Sequence, residues 1–219
     1  MPQFNASYIG PRGDLVALLP ASCRALLDVG CATGALGAGL KEQRPGARVV
    51  GIEVDPAMAA EAENRLDRTI VGDVESWDEV GAALAGDRFD CIVCGDVLEH
   101  LRDPWTTLDR LVTLLEPGGY VLLSLPNIGH SDQFVNTFLR KRWAYRERGI
   151  HDRTHLRFFA RRNVTDLVSQ AGLELVELRR TYRLIERPHG LNRFARFAAV
   201  PGLRDLLTFQ FLVLARRPG

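Results

Sequence analysis

Asp28, Gly30 and Gly34 lie in the stretch LLDVGCATGALG (26–37), where an apolar run gives way to a glycine-bearing turn that opens with a carboxylate. Glycine lets a backbone turn tightly and approach a ligand closely. A carboxylate accepts hydrogen bonds side by side. Acidic residues close three later apolar runs: Glu53 in GIEVDP, Asp73 in VGDVE and Asp96 in FDCIVCGDVLEHL. Asp55 rivals Glu53, but Pro56 follows it, which reads as a helix cap. Further along, GIHDRTHLRFF carries His151, Asp152 and His155, and NIGH ends in His130. An imidazole takes a proton near neutral pH, and Asp152, three residues before His155, could orient its ring. This pair is the candidate general base, with His155 pinning the insertion by hydrogen bonds alone as the alternative, and His130 is the second candidate base.

Elements must position these groups, and strand-like and helical runs alternate. Strands are expected at 25–30, 48–54, 68–73, 89–96 and 120–126, with helices between them at 35–43, 56–66, 75–85 and 104–115. Asp55-Pro56 and Asp103-Pro104 mark helix starts, and EPGG at 116–119 marks a stop and turn. Such alternation means an α/β fold with a parallel sheet covered on both faces. After Pro126 the rhythm breaks. Residues 127–159 form a basic, aromatic insertion, a helix follows at 160–171 and a strand at 173–180. A second insertion covers 181–207, and a last strand is expected at 209–217, seven in all. The whole of 1–219 is expected to be a single domain.

Cys91 and Cys94 form a C-x-x-C, but inside a strand residues three apart point to opposite faces, so they read as core cysteines and no metal is expected. A metal pair of His151 and His155 is the remote option. No run of about 18 apolar residues is present. MPQFNASYIG lacks a secretory pattern, so a cytoplasmic protein is expected. Residues 1–129 hold 10 Lys and Arg against 19 Asp and Glu, whereas 130–219 hold 18 against 8. This asymmetry points to two jobs in one chain.

The first turn departs from the G-x-G-x-x-G of hydride-transfer enzymes, since Ala32 stands at its middle glycine. Asp28, Gly30 and Gly34 meet D-x-G-x-x-x-G instead. With the acidic strand ends and LLEPGGYVLLSLPN, they make the chain resemble the class I S-adenosylmethionine (SAM) methyltransferases over residues 24–175. The resemblance implies a Rossmann-like, mostly parallel seven-stranded sheet with an antiparallel last strand. It also implies SAM as cofactor, with S-adenosylhomocysteine as product. Gly30, Cys31, Ala32, Thr33 and Gly34 would wrap its methionine part with Asp28. Glu53, with Val54, would hold the ribose hydroxyls. Asp73 and Val74 would meet the adenine, and Cys94, Gly95 and Asp96 would line the cofactor. The segment before the first strand, with Tyr8 and Arg12, would close over it.

The insertions then choose the acceptor. GIHDRTHLRFFARRNV resembles a segment of bacterial methyltransferases associated with polysaccharide and glycosyl-transfer pathways. That implies a small-molecule or glycan acceptor, with a sugar hydroxyl first and the basic half suited to an anionic one. A quinone or metabolite acceptor is the alternative enzyme, and a non-catalytic SAM-binding regulatory protein the alternative class. Nucleic acid is disfavoured, because no N/D-P-P-Y/F-like motif is present. Trp143 and Tyr145 read as sugar-stacking or packing residues, and His100 as a loop brace. LNRFARFAAVPGLRDLL (191–207) is basic and amphipathic. It reads first as a packed lid or homodimer contact and second as a shallow membrane contact.

Overall fold

The computed structural model describes residues 10–219, so Tyr8 lies outside the described residues. Seven strands form one sheet: β1 (Ala25–Val29), β2 (Arg48–Glu53), β3 (Arg68–Val71), β4 (Phe89–Gly95), β5 (Leu115–Pro126), β6 (Glu174–Tyr182) and β7 (Thr208–Arg216). Their order is β3-β2-β1-β4-β5-β7-β6, and β7 alone runs antiparallel to its neighbours. Strand order reverses between β1 and β4, and in open parallel sheets the ligand crevice lies beyond the carboxyl ends of such strands.

Alternation within the strands builds a core on each face. Leu27, Val29, Ile92 and Cys94 pack with residues of α4 (Trp77–Ala83), α5 (Pro104–Val112) and α7 (Arg161–Gln170). Leu26, Cys91 and Val93 pack with α1 (Gly13–Val16), α2 (Ala35–Gln43) and α3 (Pro56–Ala62) on the other. Cys91 and Cys94 thus lie on opposite faces, as a strand's two-residue period requires.

Element ends differ from the sequence expectation by a few residues, three of them with a bearing on the packing. The third helix ends at Ala62 rather than Leu66, and the fifth at Val112 rather than Leu115. The EPGG stretch is not a free turn but the start of β5. Gly118 takes a φ of 77° and donates its N–H to the Arg217 carbonyl. Within the first insertion, α6 (Ser131–Phe134) runs into a wide turn at Val135–Leu139. The second contains only short helical turns, α8 (Ala195–Ala198) and α9 (Arg204–Leu207) among them. No helix among the described residues is long and apolar enough to cross a membrane.

Candidate functional site

Two cavities open at the carboxyl edge of the sheet. The first, about 520 Å³, is bordered by the turn after β1 and the ends of β2, β3 and β4. Gly30 and Ala32 both adopt left-handed backbone, with φ of 69° and 48°. A Cβ on Gly30 would stand 2.6 Å from Val97 Cγ2, so only glycine fits that corner. The turn is fixed from below: the Gly30 and Cys31 amides bond to the Ile52 carbonyl, and the Ala32 N–H donates to Glu53 Oε2 at 2.8 Å. Glu53 Oε1 accepts from the Asp55 N–H at 2.9 Å, while Asp55 itself caps α3. Each carboxylate oxygen has more than one acceptor site, so Glu53 keeps capacity toward the cleft.

Asp28 forms the floor. It is 3% exposed, and its Oδ2 is buried with no hydrogen-bond partner. Burial, then the Glu53 carboxylate, push its pKa up to about 7 against the pull of Arg12. Asp73 stands at the far wall with Val74. Its Oδ1 accepts from the Glu75 N–H at 2.9 Å. Cys31, Val54, Gly95 and Asp96 also border this cleft.

Three expected cofactor residues do not border it. Thr33 turns inward, and its carbonyl and hydroxyl oxygens accept from Arg65. Gly34 begins α2, where a Cβ would come within 3.2 Å of Ala62 Cα, so it seats α2 against α3. Cys94 is fully buried in the core, because the strand period turns it away from the site.

The second cavity, about 890 Å³, lies between β4, β5, β7 and the two insertions. Arg12, Asp96 and His100 border both cavities. Asp96 has a φ of 60° and is held by the Arg12 guanidinium, the Ser124 hydroxyl and the Gln210 amide. Arg12 reaches the same hydroxyl at 3.1 Å. Arg12, from the segment before β1, therefore stands at the junction of the two cavities.

The expected histidines separate into different roles. His130 is 1% exposed. Its Nδ1 accepts the Asp132 N–H at 3.1 Å, so its Nε2–H donates to the Arg183 carbonyl at 2.9 Å. Both nitrogens are committed to joining the two insertions, and His130 borders neither cavity, which removes it as a base. His151 is also structural, with Nδ1 2.8 Å from Glu186 and an edge-to-face contact with Trp143. His155 borders the second cavity, and its Nδ1 is buried without a partner. Burial, then His100, lower its pKa to about 4, so it does not titrate near neutral pH as the sequence suggested. The expected Asp152–His155 pairing is replaced by another: Asp152 Oδ1 accepts from the Thr154 N–H and hydroxyl at 2.8 and 2.6 Å. Thr154 Oγ1 in turn meets His100 Nδ1 at 3.1 Å, which makes His100 the brace between loop and insertion. Trp143 packs on Phe158 and His151, and neither it nor Tyr145 borders either of these two cavities.

Glu99 escaped the sequence reading. It is 1% exposed, and its Oε2 lacks a partner. Burial, then the Asp96 carboxylate, hold it well above the usual carboxylate range. The signal was a charged residue inside the apolar DVLEHL, just after a strand whose end already looked functional.

A family model described as a methyltransferase domain matches residues 8–178. The chain is similar to a ubiquinone biosynthesis O-methyltransferase of Cereibacter sphaeroides, 32% identical over 167 residues, covering 75% of this chain and 66% of that protein. It thus spans just under two thirds of that relative's length. A trans-aconitate 2-methyltransferase of Escherichia coli is 29% identical over 182 residues, covering 82% of this chain and 68% of that one. Among solved structures, a SAM-dependent methyltransferase from Archaeoglobus fulgidus shares the fold at a TM-score of 0.64 and 15% identity, covering 96% of both chains.

Proposed function

The chain belongs to the methyltransferase-domain family, and we propose on that premise that it moves a methyl group from SAM to an oxygen of a small-molecule acceptor. The observation that carries this reading is the shared wall of Arg12, Asp96 and His100 between two cavities. A cofactor cleft and an acceptor cavity that meet at one wall give the proximity a direct transfer needs.

The first cavity fits SAM on its own terms. Asp28 offers a buried, unpartnered oxygen, which the amino group of the cofactor's methionine part would satisfy. Glu53, already tied to the Ala32 and Asp55 amides, would accept from the ribose hydroxyls. Asp73 would accept from the adenine amino group, with Val74 beside it. When bound, SAM supplies an electrophilic methyl group on sulfur. The Arg12–Asp96–Ser124–Gln210 network holds the wall rigid where acceptor and methyl would meet.

The acceptor cavity is lined by arginines, among them Arg148, Arg183 and Arg187, and by carboxylates, among them Glu99, Glu147 and Asp152, so it suits a polar acceptor and offers an anionic group cationic partners on one side only. A hydroxyl acceptor must shed its proton as the methyl arrives. His155, Glu99 and His100 line this cavity and would face that oxygen. The relatives' names, a ubiquinone-biosynthesis O-methyltransferase and a trans-aconitate 2-methyltransferase, support a metabolite oxygen over the sugar hydroxyl suggested by the sequence resemblance.

Calorimetry with SAM and S-adenosylhomocysteine tests the first half. Both bind the parent protein, and Glu53→Ala weakens binding by about 1–3 kcal/mol through lost acceptors. Labelled SAM offered with phenols, carboxylic acids, sugars and RNA tests the second. Absence of SAM binding sinks the proposal, and transfer confined to RNA or polymeric glycan sinks the small-molecule acceptor.

A further inference from the structure

We propose that Glu99, His100 and His155 bind a divalent cation of the zinc type at the wall between the two cavities. One ligand atom from each of these side chains lies within 4.8 Å of the others. Two of the three residues carry an unmet need. Glu99 Oε2 and His155 Nδ1 are buried with no hydrogen-bond partner, and unpaired buried polar atoms are uncommon in folded proteins because their desolvation goes uncompensated. A cation shared between them removes both deficits at once.

The third residue, His100, is tied to the insertion that carries His155. The Thr154 hydroxyl donates its only hydrogen to Asp152 Oδ1 at 2.6 Å. Its oxygen meets His100 Nδ1 at 3.1 Å and so links that ring to the Asp152 carboxylate. A carboxylate acting on the far nitrogen of a histidine is the arrangement that orients metal-ligating imidazoles and raises their basicity; here a hydroxyl relays it. The fold supplies the convergence. Glu99 and His100 are neighbours on the turn at Leu98–His100. His155 is brought to them because the Leu156 and Arg157 amides both bond to the Glu99 carbonyl, at 2.8 and 3.0 Å.

Two imidazoles and one carboxylate form the ligand set of a zinc site that keeps a position open. All three residues border the acceptor cavity, so an open position there would face the acceptor's oxygen. This role rests on the proposed methyl transfer; the binding itself does not. A second grouping among the described residues, Cys23, Asp90 and Cys91, lacks these marks. There neither Asp90 oxygen is left unpartnered, since they accept from the Arg24 and Ala25 amides.

The test titrates chelator-treated full-length protein with Zn²⁺ by calorimetry and with Co²⁺ by visible absorption. One equivalent of each metal binds the parent protein, and Co²⁺ gives the intense bands of a four- or five-coordinate N/O site. His155→Ala and Glu99→Gln abolish binding, and Thr154→Val weakens it by roughly 10- to 100-fold. S-adenosylhomocysteine affinity is measured on the same samples. Its persistence in the variants shows them folded, and its absence in the parent protein removes the methyltransferase reading without touching the cation result. Sub-stoichiometric binding to the parent, or equal affinity in His155→Ala, overturns the proposal. Should Glu99→Gln fail to fold, the comparison of the parent with His155→Ala decides.

Discussion

Asp28 is a carboxylate that the fold holds at the edge of ionisation. Its pKa is near 7 in the folded chain because of burial and the Glu53 carboxylate, with Arg12 opposing them, against about 3.9 when unfolded. The folded state therefore keeps a proton that the unfolded state has lost between about pH 4 and 7. Stability from this group is full below pH 4 and is lost as pH rises through 7, by roughly 4 kcal/mol in total. His155, with its lowered pKa, contributes the opposite slope, so the test is a comparison: from pH 5 to 7 the urea midpoint should change more favourably in Asp28→Asn than in the ligand-free parent. An unchanged slope in the variant assigns the effect elsewhere. His130 makes the opposite case, a histidine with no task at the cavities. His130→Ala leaves the Asp132 N–H and the Arg183 carbonyl without their partner, a cost of about 1–3 kcal/mol per buried group. The melting temperature should drop while S-adenosylhomocysteine affinity stays within a factor of two or so of the parent's. A large loss of affinity would return His130 to the site.

At the scale of elements, the turn joining β1 to α2 depends on one corner. Gly30→Ala meets Val97 Cγ2 at 2.6 Å and also places a side chain on left-handed backbone. The backbone part costs roughly 1–2 kcal/mol, and the clash adds to it. Adding Val97→Ala relieves only the clash, so the double variant should regain part of the stability lost by Gly30→Ala. Chemical denaturation of the parent, both single variants and the pair measures this coupling, and strict additivity would mean that the corner is not what demands glycine.

Across the whole molecule, the two insertions behave as one cap, and a buried knot joins them. Glu186, from the second, accepts from the His151 amide, pairs with His151 Nδ1 and takes the Arg146 guanidinium, all from the first. The Glu186 amide returns a bond to Asp132 at 2.7 Å. Removing one partner of such a buried pair costs about 3–5 kcal/mol. Glu186→Gln should therefore expose 130–159 and 181–207 to hydrogen exchange together, with cofactor affinity unchanged because Glu186 does not border the first cavity. Exposure of one insertion alone would mean that they move independently.

The sequence by itself determined the sheet, the carboxylates at its strand ends and the core cysteines. Those depend on short-range rules: a two-residue period that sends Cys91 and Cys94 to opposite faces, proline after Asp55 and Asp103, and a carboxylate at each strand end. The acceptor side was different. Whether a histidine is a base, a brace or a ligand depends on what meets each of its two nitrogens, and those partners lie far away in sequence. His130 is fixed by Arg183, 53 residues on, and His100 by Thr154, 54 residues on. Glu99 drew no notice because nothing within a few residues shows that its Oε2 ends buried and unpaired. Only the tertiary structure could decide these roles, since burial and hydrogen-bond partnership belong to the packed chain, whereas strand period and helix capping are written in neighbouring residues.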